Sequence, residues 1–139
     1  NCSVQMISPG SYREMHLPVE QRMAGRIQPF GVHHCGDNTH AIAPAYAQLP
    51  ACYVEVGWGS DVGACRQALP DVFLNLRLSP VRMLQCTPQE IAGDTEKLLR
   101  DAGRLEQVGV CCINMDYGTS DDNIFAMFEV VQRYRRYGA

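Results

Sequence analysis

Residues 52–69 read CYVEVGWGSDVGACRQAL, and this stretch decides the fold class. Its first part, CYVEVGW, is rich in β-branched and aromatic residues, which is typical of a short strand covered on both faces. Gly59 and Ser60 then provide a turn, and DVGACRQAL is predicted as a helix. A strand followed directly by a helix is the repeating unit of a parallel α/β fold.

The same unit recurs along the chain. Three further strands are predicted, QPFGVHHC (28–35), VFLNLRL (72–78) and VGVCCINM (108–115). A helix follows each strand, through residues 39–49 after the first, from a capping-box pattern at 87–90 to Gly103 after the third, and after residues 119–122 after the last. An additional helix is predicted to begin at Ser8-Pro9 and to run toward Gly25, with a kink at Pro18.

This order predicts an α/β domain with about four parallel strands and right-handed crossovers. Four such units make either a small open sheet or half of a TIM-type (β/α)8 barrel. A complete barrel takes about 250 residues, and this chain has 139. We therefore expect a half-barrel, and the opening residues NCSVQM, which lack an initiator Met, suggest a fragment or a processed chain.

Composition and charge exclude several classes of partner. The net charge of -3 argues against a nucleic-acid surface, and the basic cluster Arg133, Arg135 and Arg136 suits the negative end of the last helix dipole. No apolar run approaches the ~20 residues of a membrane span, and we expect no signal peptide in the first residues of this sequence. Seven cysteines without a sign of secretion indicate reduced thiols and a cytoplasmic protein.

Polar side chains gather where the predicted strands end, which is where parallel α/β folds carry their chemistry. In chain order these residues are His33, Cys35 and Asp37; Glu55, Trp58 and Asp61; Asn75 and Arg77; and Cys112, Asn114 and Asp116.

Side chains alternate along a strand, so His33 and Cys35 should share one face and His34 should lie on the other. By the same rule we expect Cys112 to lie toward the site, and Cys111 to lie beneath the outer helices. One imidazole and two thiolates form a zinc ligand set with a fourth position left for a substrate. Two other readings stay open: packed strand-end residues without a metal, and a Cys-His nucleophile.

Five segments carry a family resemblance: ISPGSYREMHLPVEQRMAG, GVHHCGDN, GSDVGACRQALPD, LSPVRMLQCTPQEI and YGTSDDNI. They resemble the carboxy-terminal half of the uroporphyrinogen decarboxylase superfamily, which includes the methylcobalamin:coenzyme M methyltransferases. The resemblance covers residues 1–139 and implies a (β/α)8 barrel of which this chain supplies the later strands. The amino-terminal half would then be missing.

The methyltransferase branch implies a zinc motif of the form H-x-C with a distant Cys, which His33, Cys35 and Cys112 match. Zinc activates a thiol in that branch, and the thiol attacks a methyl group on a corrinoid such as methylcobalamin. The decarboxylase branch uses no metal and has a His after the last strand, near Tyr117 here. The chain departs from the methyltransferases at Ile113, where they carry Gly, and at Arg77, where they carry Asn.

The sequence therefore leaves three alternative functions open. The first is a zinc-dependent methyltransferase that acts with a corrinoid protein or a small thiol, with Asp37, Asn114 and Asp116 orienting ligands. Arg77 would bind an anionic group, or would instead pair with Glu55 or Asp116. The second is a metal-free lyase like uroporphyrinogen decarboxylase. The third is a non-catalytic half-barrel that pairs with a partner chain or with itself.

Overall fold

The computed structural model describes residues 1–137 and contains one sheet of four parallel strands. The strands are β1 (Phe30–His33), β2 (Ala51–Val56), β3 (Phe73–Arg77) and β4 (Val108–Cys111). They neighbour one another in chain order, β1-β2-β3-β4, and each adjacent pair is parallel. The predicted strand number and direction are confirmed.

Helices connect these strands. They are α3 (Thr39–Tyr46), α4 (Val62–Ala68), α5 (Pro80–Gln85) and α6 (Pro88–Ala102), and α7 (Asp121–Tyr137) follows β4. A 3₁₀-helix (Val4–Met6), α1 (Pro9–Ser11), a π-helix (Tyr12–His16) and α2 (Leu17–Ala24) precede β1. The predicted capping box at α6 is present, with the Thr87 side chain accepting from the Glu90 amide and the Glu90 side chain accepting from the Thr87 amide.

The predicted kink at Pro18 takes the form of the π-helix that lies directly before it. Proline has no amide hydrogen and its ring crowds the carbonyl one turn back, so the regular hydrogen-bond pattern widens there. Ser8 begins the segment as predicted, because its Oγ accepts a hydrogen bond of 3.0 Å from the Ser11 amide.

The helices pack against one face of the sheet. One apolar cluster joins Val54, Val56, Leu74 and Leu76 to buried side chains of the helices up to α6, and a smaller one places Leu78 against α5, α6 and α7. The other face carries the alternate side chains of the strands, and Phe73 there remains 37% exposed. In the described part of the chain, helices therefore cover one face of the sheet, whereas the strand composition predicts that both faces are covered.

This arrangement is that of a partial (β/α)8 barrel, in which helices form the outer layer and the opposite sheet face lines the interior. Among the described residues, none of the helices has the length and hydropathy needed to cross a membrane. Of the basic cluster on α7, Arg133 pairs with Glu96 at 2.8 Å, whereas the side chain of Arg136 lies outside the part that the structure describes.

Candidate metal centre

His33 is the last residue of β1 and lies at the centre of a polar cluster. Its Nδ1 is 2.7 Å from Glu55 Oε2, and its Nε2 is 3.1 Å from Cys35 Sγ. The sheet register explains the first contact, because His33 is paired with Glu55 across β1 and β2. Strand alternation explains the second, so the predicted common face of His33 and Cys35 is confirmed.

Glu55 also pairs with Arg77 on the next strand, with 3.3 Å between Oε1 and Nη1. Both residues are buried, at 7% and 9% exposure, and a buried charge is stable only when it is paired and hydrogen-bonded. The expected ion pair between Arg77 and Glu55 is thus present. Glu55 is left with one oxygen on His33 and the other on Arg77, which fixes the orientation of the imidazole.

Cys2 brings a third donor to the cluster. The ligand atoms of Cys2, His33 and Cys35 all lie within 4.8 Å of one another. The amino-terminal segment is anchored on both sides of Cys2, because Asn1 donates to the Tyr46 hydroxyl at 3.3 Å and Val4 is buried in the core. No sequence signal pointed to Cys2, because it lies outside every strand and belongs to no motif.

Contacts within the cluster change the pKa values of His33 and Cys35. The hydrogen bond to Glu55 raises the pKa of His33, and burial opposes that shift. The hydrogen bond from His33 lowers the pKa of Cys35. A Cys thiol with a lowered pKa supplies a thiolate, which is the form that binds metals. An Nε2–H of His33 that donates to Cys35 Sγ therefore favours the thiolate form of Cys35.

The two adjacent cysteines at the end of β4, Cys111 within the strand and Cys112 directly after it, lie on the opposite sides from those we predicted. Cys111 is paired in register with Arg77, and Gly109 with Asn75, so Cys111 lies on the face of the polar cluster. Cys112 packs instead in the smaller apolar cluster beneath α5, α6 and α7. Burial raises the pKa of Cys111 to about 11 and also raises the pKa of Cys112.

The reversal has a packing cause. The sequence favours the position beneath the helices for Gly109, Cys111, Ile113 and Met115, because together they form a small and apolar set. In the structure a Cβ at position 109 would lie 2.9 Å from Asn75 Oδ1 and 3.0 Å from the Phe73 ring. Glycine at 109 therefore belongs on the inner face, where larger side chains of β3 already fill the space. Within residues 1–137, neither Cys111 nor Cys112 joins the group formed by Cys2, His33 and Cys35.

A cavity of about 280 Å³ opens beside Cys35. Its lining includes Cys35, Asp37, Trp58, Arg77, Ile113 and Asn114. Asn114 has a left-handed backbone with φ of 56°, which asparagine tolerates better than most residues. The cavity thus combines a thiol, a guanidinium, a carboxylate and an amide with apolar walls.

The other predicted polar residues do not reach the cluster. Asp116 is exposed and accepts a hydrogen bond from the Gly118 amide at 3.2 Å, which shapes its own loop. Asp61 caps α4 through a 2.9 Å hydrogen bond from Ala64 N. Asn75 donates to the Tyr53 hydroxyl at 2.9 Å, lower on the same face. Tyr117 is fully exposed.

His34 has the structural role that was predicted for it. Its side chain is fully buried on the helix face, with Nδ1 2.9 Å from the Tyr46 hydroxyl and Nε2 3.0 Å from Asn38 Oδ1. Burial lowers the pKa of His34, which favours the neutral ring. His34 therefore packs between β1 and the helices and is not part of the group formed by Cys2, His33 and Cys35.

The donor group suits zinc. Zinc binds imidazole nitrogen and thiolate sulfur, and three protein ligands leave a position for a substrate. A histidine that binds a metal through one nitrogen usually donates its other N–H to a carboxylate. His33 has that geometry, since Nδ1 contacts Glu55 and Nε2 points toward Cys35. Cys2, His33 and Cys35 can therefore hold a metal ion such as zinc.

The family model described as Uroporphyrinogen decarboxylase (URO-D) matches residues 1–134. The chain therefore belongs to the uroporphyrinogen decarboxylase family, whose members are enzymes, either decarboxylases or methyltransferases. No curated protein matches the chain.

Glu55→Gln should weaken zinc binding by about 10- to 100-fold, the effect expected when the carboxylate behind a ligating histidine is lost. The amide keeps the side chain's size but removes the charge that holds the His33 ring. Competitive titration with a chromogenic zinc chelator measures the affinity. Glu14→Gln removes an exposed carboxylate outside the cluster and is the matched control. Equal affinities of the two variants would contradict this role.

Proposed function

We propose that the chain is part of a zinc-dependent methyltransferase that moves a methyl group from a corrinoid substrate to a small thiol. The observation that carries this proposal is the group of Cys2, His33 and Cys35, whose donor atoms lie within 4.8 Å of one another, with Glu55 behind the imidazole. Bound there, zinc would act as a Lewis acid that lowers the pKa of a substrate thiol.

Three cysteines are candidates for the third protein ligand of the metal. The geometry favours Cys2, which already lies in the donor group. The resemblance to the methyltransferases favours Cys112, and Cys111 lies on the face of the cluster beside Arg77. We propose His33 and Cys35 as ligands in every case, because they are adjacent in space and belong to one strand end.

Arg77 supports a substrate that carries a negative charge. Its guanidinium contacts Glu55 through Nη1 and lines the cavity together with Cys35. A guanidinium binds carboxylate or sulfonate groups through paired hydrogen bonds. We propose that Arg77 holds the anionic end of the thiol substrate, and that the Asn114 amide, in the same cavity, orients it. Asp116 would act through the loop that it shapes with Gly118.

The proposed reaction is a simple displacement. The substrate sulfur attacks the methyl carbon, an S–C bond forms, and the carbon–cobalt bond of the corrinoid breaks. The electron pair of that bond stays on cobalt, and the thiol proton leaves to water. The residues of the chain hold the thiol beside Cys35 and exclude water with the apolar walls of Trp58 and Ile113.

The uncovered sheet face supports a proposal about the rest of the barrel. We propose that this chain supplies the later strands of a (β/α)8 barrel and that an amino-terminal half, or a second copy of the chain, covers the inner face. Phe73 and Tyr53 stack on that face with ring centroids 6.0 Å apart, and Phe73 remains partly exposed. Covering these rings would bury apolar area and stabilise the assembly.

The function is tested by incubating the zinc-loaded chain anaerobically with methylcobalamin and 3-mercaptopropionate. Mass spectrometry should detect the S-methyl product, and the cobalamin spectrum should change in the same proportion. Removing zinc with a chelator should abolish both signals. Product formation that survives chelation would contradict the proposal. Release of carbon dioxide from a porphyrinogen acid by the metal-free chain would instead establish a decarboxylase.

Arg77→Lys should raise KM for 3-mercaptopropionate while leaving KM for the neutral 2-mercaptoethanol nearly unchanged. Lysine keeps the positive charge beside Glu55 but lacks the planar fork that binds an anion through two hydrogen bonds. Arg104→Lys, at an exposed site outside the cluster, is the control. A parallel rise in KM for both thiols would contradict the proposed anion contact.

A further inference from the structure

The same two thiols that support a metal site are also placed to form a bond with each other. Cys2 Sγ and Cys35 Sγ lie within 4.8 Å, and neither takes part in a disulfide. The sulfur atoms must approach to about 2.05 Å to form one, a movement of less than 3 Å. Cys2 is exposed and Cys35 is half-buried, so a small oxidant can reach the pair.

The position of Cys2 is held by the fold. Its neighbours on both sides are fixed, Asn1 by the Tyr46 hydroxyl and Val4 by burial in the core. Farther along the same segment, Gln5 packs against Gly36 in the loop that follows Cys35. The amino-terminal segment therefore crosses the carboxyl end of β1, and this crossing keeps the two thiols together although they are far apart in sequence.

We propose that Cys2 and Cys35 form a reversible disulfide when no metal is bound, so that oxidation by a hydroperoxide closes the site to zinc. Zinc binding and disulfide formation then exclude each other, because thiolate ligands are consumed by the bond. Neither the disulfide nor its formation depends on the proposed methyl transfer.

The chemistry proceeds in two balanced steps. The Cys35 sulfur attacks one oxygen of the hydroperoxide, an S–O bond forms, and the O–O bond breaks to release water or an alcohol. The resulting sulfenic acid is then attacked by the Cys2 sulfur, an S–S bond forms, and the S–O bond breaks to release water. The two sulfurs together lose two electrons, which the hydroperoxide takes up.

The pair is tested on the whole chain after zinc removal, with a stoichiometric dose of hydrogen peroxide and alkylation of the remaining thiols. Cleavage at Arg13, Arg26 and before Asp37 releases residues 1–13, which contain Cys2, and residues 27–36, which contain Cys35 without Cys52. We expect mass spectrometry under non-reducing conditions to find these two peptides cross-linked. Dithiothreitol should separate them, and the zinc-loaded chain should yield no cross-link under the same dose.

Two variants make the test decisive. Cys2→Ser should leave Cys35 as a sulfenic acid that dimedone traps, whereas Cys52→Ser, which removes an exposed thiol outside the group, should still form the cross-link. Cross-linking of Cys35 to any other cysteine, or oxidation of both thiols without a cross-link, would overturn the proposal. A cross-link in a chain that binds no zinc would uphold the disulfide while removing the metal site from the proposed function.

Discussion

Cys35→Ser is expected to abolish zinc binding, reducing the bound metal from one ion per chain to a trace. The hydroxyl of serine has nearly the size of the thiol but does not ionise at neutral pH and is a poor zinc ligand. Cys35 contacts His33 at 3.1 Å and lies close to Cys2, so its loss removes the sulfur that both other donors approach. Metal analysis after anaerobic purification and gel filtration measures the effect.

Cys52→Ser is the control for this experiment. Cys52 is exposed, and its sulfur lies 3.4 Å from the Phe30 carbonyl rather than in the donor group. This variant should keep its zinc. If the Cys35→Ser chain also kept one zinc ion per chain, the zinc would have to lie outside the group of Cys2, His33 and Cys35.

The same measurement distinguishes Cys2 from Cys112 as the third ligand. If Cys2 binds the metal, Cys2→Ser should lower zinc affinity strongly while Cys111→Ser and Cys112→Ser should not. In this structure Cys112 packs in the apolar cluster beneath the helices. For Cys112 to bind the metal, the end of β4 would have to move so that its thiol leaves that cluster. Cys112→Ser would then lower the affinity, and Cys2→Ser would leave it unchanged.

Gly57→Ala is expected to cost about 3 kcal/mol of unfolding free energy, the upper end of the range typical of volume added to a packed interior. Gly57 follows β2, is buried, and donates its amide to Thr39 Oγ1 at 3.0 Å. A Cβ there would lie 1.6 Å from the Gly36 carbonyl oxygen, far closer than van der Waals contact. That oxygen belongs to the backbone, so no side-chain rotation can relieve the clash. The loop that follows Cys35 would have to move.

Urea unfolding followed by circular dichroism measures this loss. Gly93→Ala is the matched control, because Gly93 lies within α6 and nothing lies within 4 Å of the added methyl group. Alanine there should stabilise the chain by about 0.5–1 kcal/mol. If Gly57→Ala were as stable as the parent chain, the close approach of residues 36 and 57 would be contradicted.

Local patterns in the sequence were sufficient to predict most of the fold. Thr87 and Glu90 form a capping box from their own spacing, and apolar runs of strand length are separated by helical segments. Alternation along β1 correctly separated His33 and Cys35 from His34, because the apolar Val32 identifies the helix face of that strand. These signals lie within a few residues of one another and need no tertiary information.

The rest of the site depends on contacts between distant residues. The face of the sheet on which each side chain of β4 lies was predicted wrongly, because the two alternating sets of residues differ little in polarity. The packing of Gly109 against Asn75 and Phe73 decides it. The pairing of His33 with Glu55 requires the register between two strands. Cys2 reaches the cluster through the path of the amino-terminal segment, which no periodicity encodes.

In the proposed function, a metal on His33 and Cys35 binds and activates a substrate thiol. Zinc K-edge X-ray absorption on the zinc-loaded chain, with and without 3-mercaptopropionate, shows whether the thiol sulfur joins the metal. We predict one imidazole nitrogen and two sulfurs at about 2.3 Å without the thiol, and three sulfurs with it. A sulfur count that stays at two when the thiol is added would contradict the claim.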